Sequence, residues 1–245
     1  TVPLTLPLGW GCDLNYSART KDGRVNFDAL PASAKGDYCG VLLMRAGDPL
    51  AKGDTDPAEL RALLDDSLPQ FSALLDDEAV AVIAQKPPSA LPSFRYVGPR
   101  LRVGRSTALL GDAIHTVKPY FGLGANSAFE DVTALGDALD RAQRELPGAP
   151  RAEVSRRAIE RFSRERSGEA RALVRLSRDL DRPGLLGFLT FILPLILDGL
   201  FAKAAPWLFR PNVIAMLQKE DFTFQRIARR KRLDRAVQAA ILASL

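Results

Sequence analysis

Over the first 45 positions, apolar residues come in short runs broken by turn formers. Residues 24–27 alternate in part, and 38–44 is a run of strand formers ended by Arg45. Lys21-Asp22-Gly23, ahead of the first of these, reads as a hairpin turn. From Asp54 the period lengthens to that of a helix, predicted over 54–66. Asp56 is its cap, Pro57 lies in its first turn, Glu59 follows the cap by three, and Ala58, Leu60, Leu63 and Leu64 form its apolar face. A second short helix is predicted over 68–75, and 79–84 is an apolar run. Pro87, Pro88 and Pro92 mark an extended connector, after which 94–103 reads as paired strand material. The first hundred residues thus predict an antiparallel sheet with helices on one face, an α+β arrangement.

Residues 107–110 read as a short buried strand that ends at Gly111-Asp112. A helix is predicted from about Gly124 to Arg144, with Ala128, Val132, Leu135 and Leu139 as its apolar stripe. Leu146-Pro-Gly-Ala-Pro150 breaks the chain before a charged helix over 152–178, and Asp181-Arg-Pro-Gly184 breaks it again. Residues 185–197 are apolar apart from Thr190, Gly187 and Pro194, and the run ends at Asp198. A spanning helix needs about 20 residues, so this run is read as a buried helix pair, a half-inserted segment or a docking surface. Residues 212–245 are predicted helical and basic around Arg229-Arg-Lys-Arg232.

Composition narrows the classes. With 245 residues, 47% hydrophobic and 26% charged, the chain can form one large or two small domains and is not disordered by default. Two cysteines, Cys12 and Cys39, are too few for a disulfide framework and are expected to be reduced and buried. The single histidine, His115, excludes a His-rich metal site, and no metal is expected. Charge is uneven: 141–245 carries 21 Lys+Arg against 11 Asp+Glu, whereas 1–140 carries 13 against 18. Such a basic part can face an anionic membrane or an acidic partner, or be a set of solvated helix faces. For nucleic acid, residues 226–235 lack aromatic interleaving. The chain starts at Thr1 with no signal-peptide pattern, so a processed chain or a part of a longer one is expected.

The segment with a chemical logic is Gly111 to Asp131. A carboxylate at the tip of a strand, Asp112, can accept hydrogen bonds from vicinal hydroxyls, and Gly111 removes the side chain that would block approach. In Pro119-Tyr-Phe-Gly-Leu-Gly-Ala-Asn126, Pro119 stiffens the loop, and Gly122 and Gly124 permit positive φ and expose N–H groups just before a helix. A helix start carries a partial positive charge and suits a group that becomes anionic. Asn126 can add a side-chain hydrogen bond.

The pattern Gly-Asp-Ala-x-His, Pro-x-x-Gly-x-Gly-x-Asn, Glu-Asp resembles the second flavin motif of the FAD-dependent aromatic hydroxylases, in the form found in kynurenine 3-monooxygenases. The resemblance implies FAD as cofactor, NAD(P)H as reductant and a small aromatic substrate. It implies that Gly111 and Asp112 meet the ribityl hydroxyls. Pro119, Tyr120, Phe121 and Gly122 would lie beside the flavin ring and substrate, and Leu123, Gly124, Ala125 and Asn126 would hold the pyrimidine edge. No catalytic side chain is singled out, and His115 is expected to brace the turn. Three segments follow: a substrate-domain sheet with helices (1–106), a flavin-contacting strand-turn-helix (107–145) and a helical basic region (146–245). The family's N-terminal Rossmann unit with its G-x-G-x-x-G is not found in these residues. The Asn and Tyr that kynurenine 3-monooxygenases place near substrate fall roughly at Arg175 and Phe222. Residues 185–245 resemble a membrane-attached C-terminal region, implying association with a membrane surface or a membrane protein complex, facing a reducing compartment. The alternative is a degenerate, non-catalytic member serving as an accessory subunit of a membrane assembly.

Overall fold

Val2–Thr5 (β1), Tyr16–Arg19 (β2), Val25–Pro31 (β3) and Asp37–Met44 (β4) form an antiparallel sheet in the order β1-β4-β3-β2. The computed structural model describes residues 1–7, 9–45, 47–91, 93–118, 122–180, 184–219 and 221–244. Strand alternation sends Val25, Phe27 and Ala29 to one face, joined by Val2, Leu4 and Tyr38, all buried. Register pairs Phe27 with Leu42 and Ala29 with Gly40. The hairpin turn forms where expected, with the Asp22 carboxylate accepting from the Thr20 hydroxyl (2.6 Å) and the Arg24 amide (2.9 Å).

Against that face lie three helices, Pro57–Ser67 (α1), Pro69–Ser72 (α2) and Asp77–Gln85 (α3). Asp56 caps α1 by accepting from the Ala58 amide at 2.9 Å. Leu60 and Leu64 are its buried contacts, while Ala58 stays exposed. The second helix is shorter than predicted, four residues rather than eight. The apolar run after it is helical because Asp76 caps α3, with Asp77 and Glu78 in the first turn. Cys12, expected buried, is exposed, and Cys39 is half-buried on the sheet. Residues 1–90 make one compact unit and 91–245 a second.

In the second unit the strand material is briefer than the sequence implies. Arg95–Tyr96 (β5) pairs with His115–Thr116 (β8), and Arg102–Val103 (β6) pairs with Thr107–Ala108 (β7). The predicted buried strand over 107–110 is therefore two residues long and only partly buried, and it runs into a single 3-10 turn at Gly111–Ala113. Two long helices dominate, Leu123–Glu145 (α4) and Arg151–Leu180 (α5), broken where Pro147 and Pro150 stand. Small residues, Ala138 and Ala142 with Ala158, are buried in their shared core, where Phe162, Leu101 and Ile114 fill the space.

Here the predicted stripe is met in part: Ala128 and Leu135 are half-buried, Leu135 against the core, whereas Val132 and Leu139 are exposed. The buried positions of α4 are Leu123, Ser127, Asp131, Ala138 and Ala142, while Val132 is 61% and Phe129 71% exposed. Two of the buried side chains are polar, so an apolar periodicity pointed to the neighbouring face.

The apolar run is one helix, not a pair: Gly184–Gly187 (α6) continues through a π turn at Phe188–Ile192 into Leu193–Ala204 (α7). Pro194 cannot donate a backbone hydrogen bond, and the ladder widens just before it. Helix continues past Asp198, so 20 residues, Leu185–Ala204, are long and apolar enough to cross a membrane by length and composition. Most of this surface is outward-facing; Leu185 is 74% and Leu200 60% exposed. Asp198 is buried instead, held by the Arg235 guanidinium at 2.7 and 2.9 Å. The basic end is two helices, Val213–Leu217 (α8) and Phe224–Ala243 (α9), the second capped by Thr223.

Candidate functional site

The 3-10 turn at Gly111–Ala113 packs against α4 at Ala128. Gly111 adopts φ +58°, a conformation that L side chains rarely take, and a Cβ there would sit 3.3 Å from the Ala128 methyl. Both facts require glycine at the position before Asp112. Asp112 itself is exposed; its carbonyl accepts from the Thr116 hydroxyl at 3.1 Å, and its carboxylate has no partner among the described residues. An exposed, ionisable acceptor on a fixed turn is the arrangement that can receive polyol hydroxyls.

The other half of the candidate site is the start of α4. Gly122 caps it in the left-handed conformation, φ +64°, and no side chain caps the first amides. Those amides, with the helix dipole behind them, are donors suited to electron-rich groups. Gly124, expected to take a positive φ, is instead an ordinary member of the first helical turn, 3.4 Å from Val117 by its would-be Cβ. Leu123 is buried, while Ala125 and Asn126 are exposed. Asn126 lines an open groove of about 450 Å³ that Arg166 also lines; Asp112 is not among its walls. Pro119, Tyr120 and Phe121 lie outside the described residues.

Beneath both halves sits a buried polar cluster. The Asp131 carboxylate is fully buried on α4. Its Oδ2 accepts from the Gly111 amide (2.8 Å) and from His115 Nε2 (2.8 Å), and its Oδ1 accepts from Arg166 Nε (2.6 Å). The Arg166 guanidinium also donates to the Ser127 carbonyl (3.1 Å) and the Glu130 carboxylate (2.9 Å). Burial alone would raise the Asp131 pKa. Hydrogen bonds from His115, Arg166 and the Gly111 amide outweigh it, and the net position is below the ordinary carboxyl value. An ionised Asp131 places the His115 proton on Nε2; Nδ1 is buried with no partner among the described residues.

Sequence reasoning had His115 bracing the turn. The structure routes that brace through Asp131, which was quoted only as part of the motif, and through Arg166, which was missed. The signal for Asp131 was its place at i+4 and i+8 from Ser127 and Leu123, one face of the helix. Arg166 is one of many arginines on α5 and had no such signal. Arg175 is exposed, and Phe222 is half-buried beneath the Arg226 guanidinium, 5.6 Å from its ring centre.

Residues 69–177 match the family model described as FAD binding domain. Over 141 residues the chain is 30% identical to kynurenine 3-monooxygenase of Myxococcus xanthus (strain DK1622), covering 56% of this chain and 30% of that protein. It is 25% identical over 179 residues to kynurenine 3-monooxygenase of Mycosarcoma maydis, covering 72% and 28%. The chain thus spans about 30% of the length of the curated relatives it matches. Among solved structures, Klebsiella pneumoniae HpxO complexed with FAD and uric acid aligns with a TM-score of 0.45 at 23% identity, over 72% of this chain and 43% of that chain. The matched segment takes in the 3-10 turn, α4 and nearly all of α5, and over it the chain is similar to the FAD binding domain of FAD-dependent monooxygenases.

Proposed function

We propose that this chain supplies the ring-contacting part of a FAD-dependent, NAD(P)H-using monooxygenase that hydroxylates a small aromatic ring, similar to kynurenine 3-monooxygenase. The observation that carries the reading is the pairing of an exposed Asp112 carboxylate on a glycine-dependent turn with the uncapped start of α4. These groups fit a flavin. Asp112 is the acceptor for ribityl hydroxyls, and the amides at Leu123, Gly124 and Ala125 together with Asn126 suit the pyrimidine edge. The bound flavin would supply electron transfer from the nicotinamide and oxygen activation. The chain's own share is to orient the ring and to meet negative charge at the α4 start with fixed dipoles, which need no rearrangement when that charge develops.

The test is the native polypeptide's intact mass read together with its visible absorption. A flavin band that disappears in Asp112→Ala supports the reading, and normal flavin content in that variant removes it. A native chain that never carries flavin favours the alternative, a non-catalytic accessory subunit. Turnover with kynurenine against other aromatic acids tests the finer substrate assignment, since Arg175 and Phe222 replace the Asn and Tyr that the resemblance calls for.

The outward apolar surface of 185–204 supports a further part of this proposal, attachment to a membrane surface or membrane protein complex that faces a reducing compartment. Trp207, 84% exposed, follows that helix, and α9 carries Arg226, Arg229, Arg230, Arg232 and Arg235. Apolar burial plus attraction to anionic headgroups is the combination that holds interfacial helices. Co-sedimentation with vesicles containing phosphatidylserine should be lost in Leu189→Glu/Ile196→Glu, and unchanged pelleting would remove the idea.

A further inference from the structure

We infer that Arg166 is a positioning residue for the flavin contact: through Asp131 it fixes the Gly111–Asp112 turn, and through Ser127 it fixes the first turns of α4. This rests on the flavin reading above. The geometry behind it is a single planar guanidinium serving both halves of the candidate site. Its Nε bonds Asp131 Oδ1 at 2.6 Å, and Asp131 Oδ2 in turn receives the amide of Gly111, the residue just before Asp112. Its Nη2 bonds the Ser127 carbonyl at 3.1 Å, one turn from the start of α4, whose amides at Leu123 to Ala125 no side chain caps. A shift of the guanidinium therefore moves the polyol acceptor and the helix start relative to one another.

Stability is a weak reason for such a cluster. Taking a carboxylate and a guanidinium out of water costs several kcal/mol each, and well-packed apolar replacements of similar volume are often as stable or more so. What an apolar core cannot do is fix an amide's direction. The forked, rigid guanidinium holds two acceptors at set angles, which a lysine ammonium cannot reproduce. His115 completes the clamp by filling the second bond to Asp131 Oδ2 from β8, the strand that follows the turn.

The test uses the full chain and two readouts. The first is amide exchange at Gly111, measured by NMR with the Phe162 amide as a reference in the α4–α5 core. In Arg166→Met, Gly111 should lose protection by at least tenfold while Phe162 keeps it. The second is binding of riboflavin, which carries the ring and ribityl chain without a pyrophosphate, followed by quenching of its fluorescence. Arg166→Met should weaken binding at least tenfold, and Arg166→Lys should recover only part of the loss. Should Arg166→Met fail to fold, Arg166→Lys and Asp131→Asn carry the same comparison. Gly111 protection equal to wild type in a folded variant would overturn the clamp. Lost protection with riboflavin affinity within twofold of wild type would overturn its role in cofactor positioning. A wild-type chain that ignores riboflavin while Gly111 still responds to Arg166→Met would sink the flavin reading, and the cofactor role of Arg166 with it.

Discussion

The two compact units bury different things. In residues 1–90 the interior is Phe27, Tyr38, Leu60, Leu64, Phe71 and their apolar neighbours, and the only fully charged side chain buried there, among the described residues, is Asp48. Residues 91–245 bury Asp131, Arg166, Asp198, Lys231 and Asp234, with His115 and Gln238 beside them. An apolar interior is stabilised by area removed from water and tolerates small shifts. A buried ion cluster is directional, and it is costly when any member lacks its partner. The second unit therefore gives up some stability to hold particular atoms in place. One of its clusters lies directly under the turn and helix start that the flavin reading needs.

The sharpest way to break that contrast is Asp131→Leu. The substitution strands Arg166 and His115 in the interior and leaves the Gly111 amide without its acceptor. Breaking a buried pair by removing one partner typically costs about 3–5 kcal/mol. Unfolding in denaturant, resolved by hydrogen exchange into the two units, should show this loss in 91–245. A change under about 1 kcal/mol would mean that the cluster is solvated and the contrast false.

Why one unit was legible in sequence and the other only in part follows from the same difference. Strand alternation at Val25, Phe27 and Ala29, and the Asp56 cap ahead of Leu60 and Leu64, are patterns in which apolarity and burial coincide. On α4 they separate. Asp131 is buried because partners from β8, α5 and the 3-10 turn meet its carboxylate, and those partners are distant in sequence. Periodicity alone then favours Val132 and Leu139, which face outward. The candidate site stood out for another reason: Gly111 and Gly122 are set by local backbone geometry, φ +58° and +64°, which spacing does record. The apolar helix was cut short at Asp198 because a lone carboxylate reads as an end; its burial depends on Arg235, 37 positions away.

For the apolar unit the matching experiment is Leu64→Ala. Leu64 is completely buried between the helices and the sheet, and truncation there should cost about 3 kcal/mol from lost transfer energy and the cavity left behind. The effect should stay within 1–90. Equal loss of protection in both units would show that they do not unfold separately.

Acid sharpens the comparison with a smaller effect. Two buried carboxyls sit below their ordinary value of 3.8: Asp131, where burial is outweighed by three donors, and Asp48, held down first by its Arg24 hydrogen bonds at 2.5 and 2.8 Å. Each has a lower pKa folded than unfolded, so each contributes stability above the unfolded value, and that contribution is lost as pH falls below it. Both units should therefore weaken below about pH 4. Arg24 is about one-third exposed whereas Arg166 is nearly buried, so added salt screens the first pair more. Repeating the acid titration at high ionic strength should flatten the response of 1–90 more than that of 91–245. Asp131→Asn should remove part of the slope in 91–245 alone.

The smallest expected effect is at Val132, and it separates pattern from burial most cleanly. By periodicity Val132 belongs to a core stripe, where replacement by a polar residue would be strongly destabilising. In the structure it is 61% exposed, like Phe129, on the outward side of α4 that adjoins the buried face of Asp131. Val132→Ser should then change stability by no more than about 0.5 kcal/mol, the usual range for surface positions. Helix propensities of valine and serine are similar, so no backbone term should mask the result. A loss of about 2 kcal/mol would mean that α4 is turned so that the apolar stripe faces inward. Asp131 could not then accept the Gly111 amide from that helix, and the link between the buried cluster and the cofactor turn would fall with it.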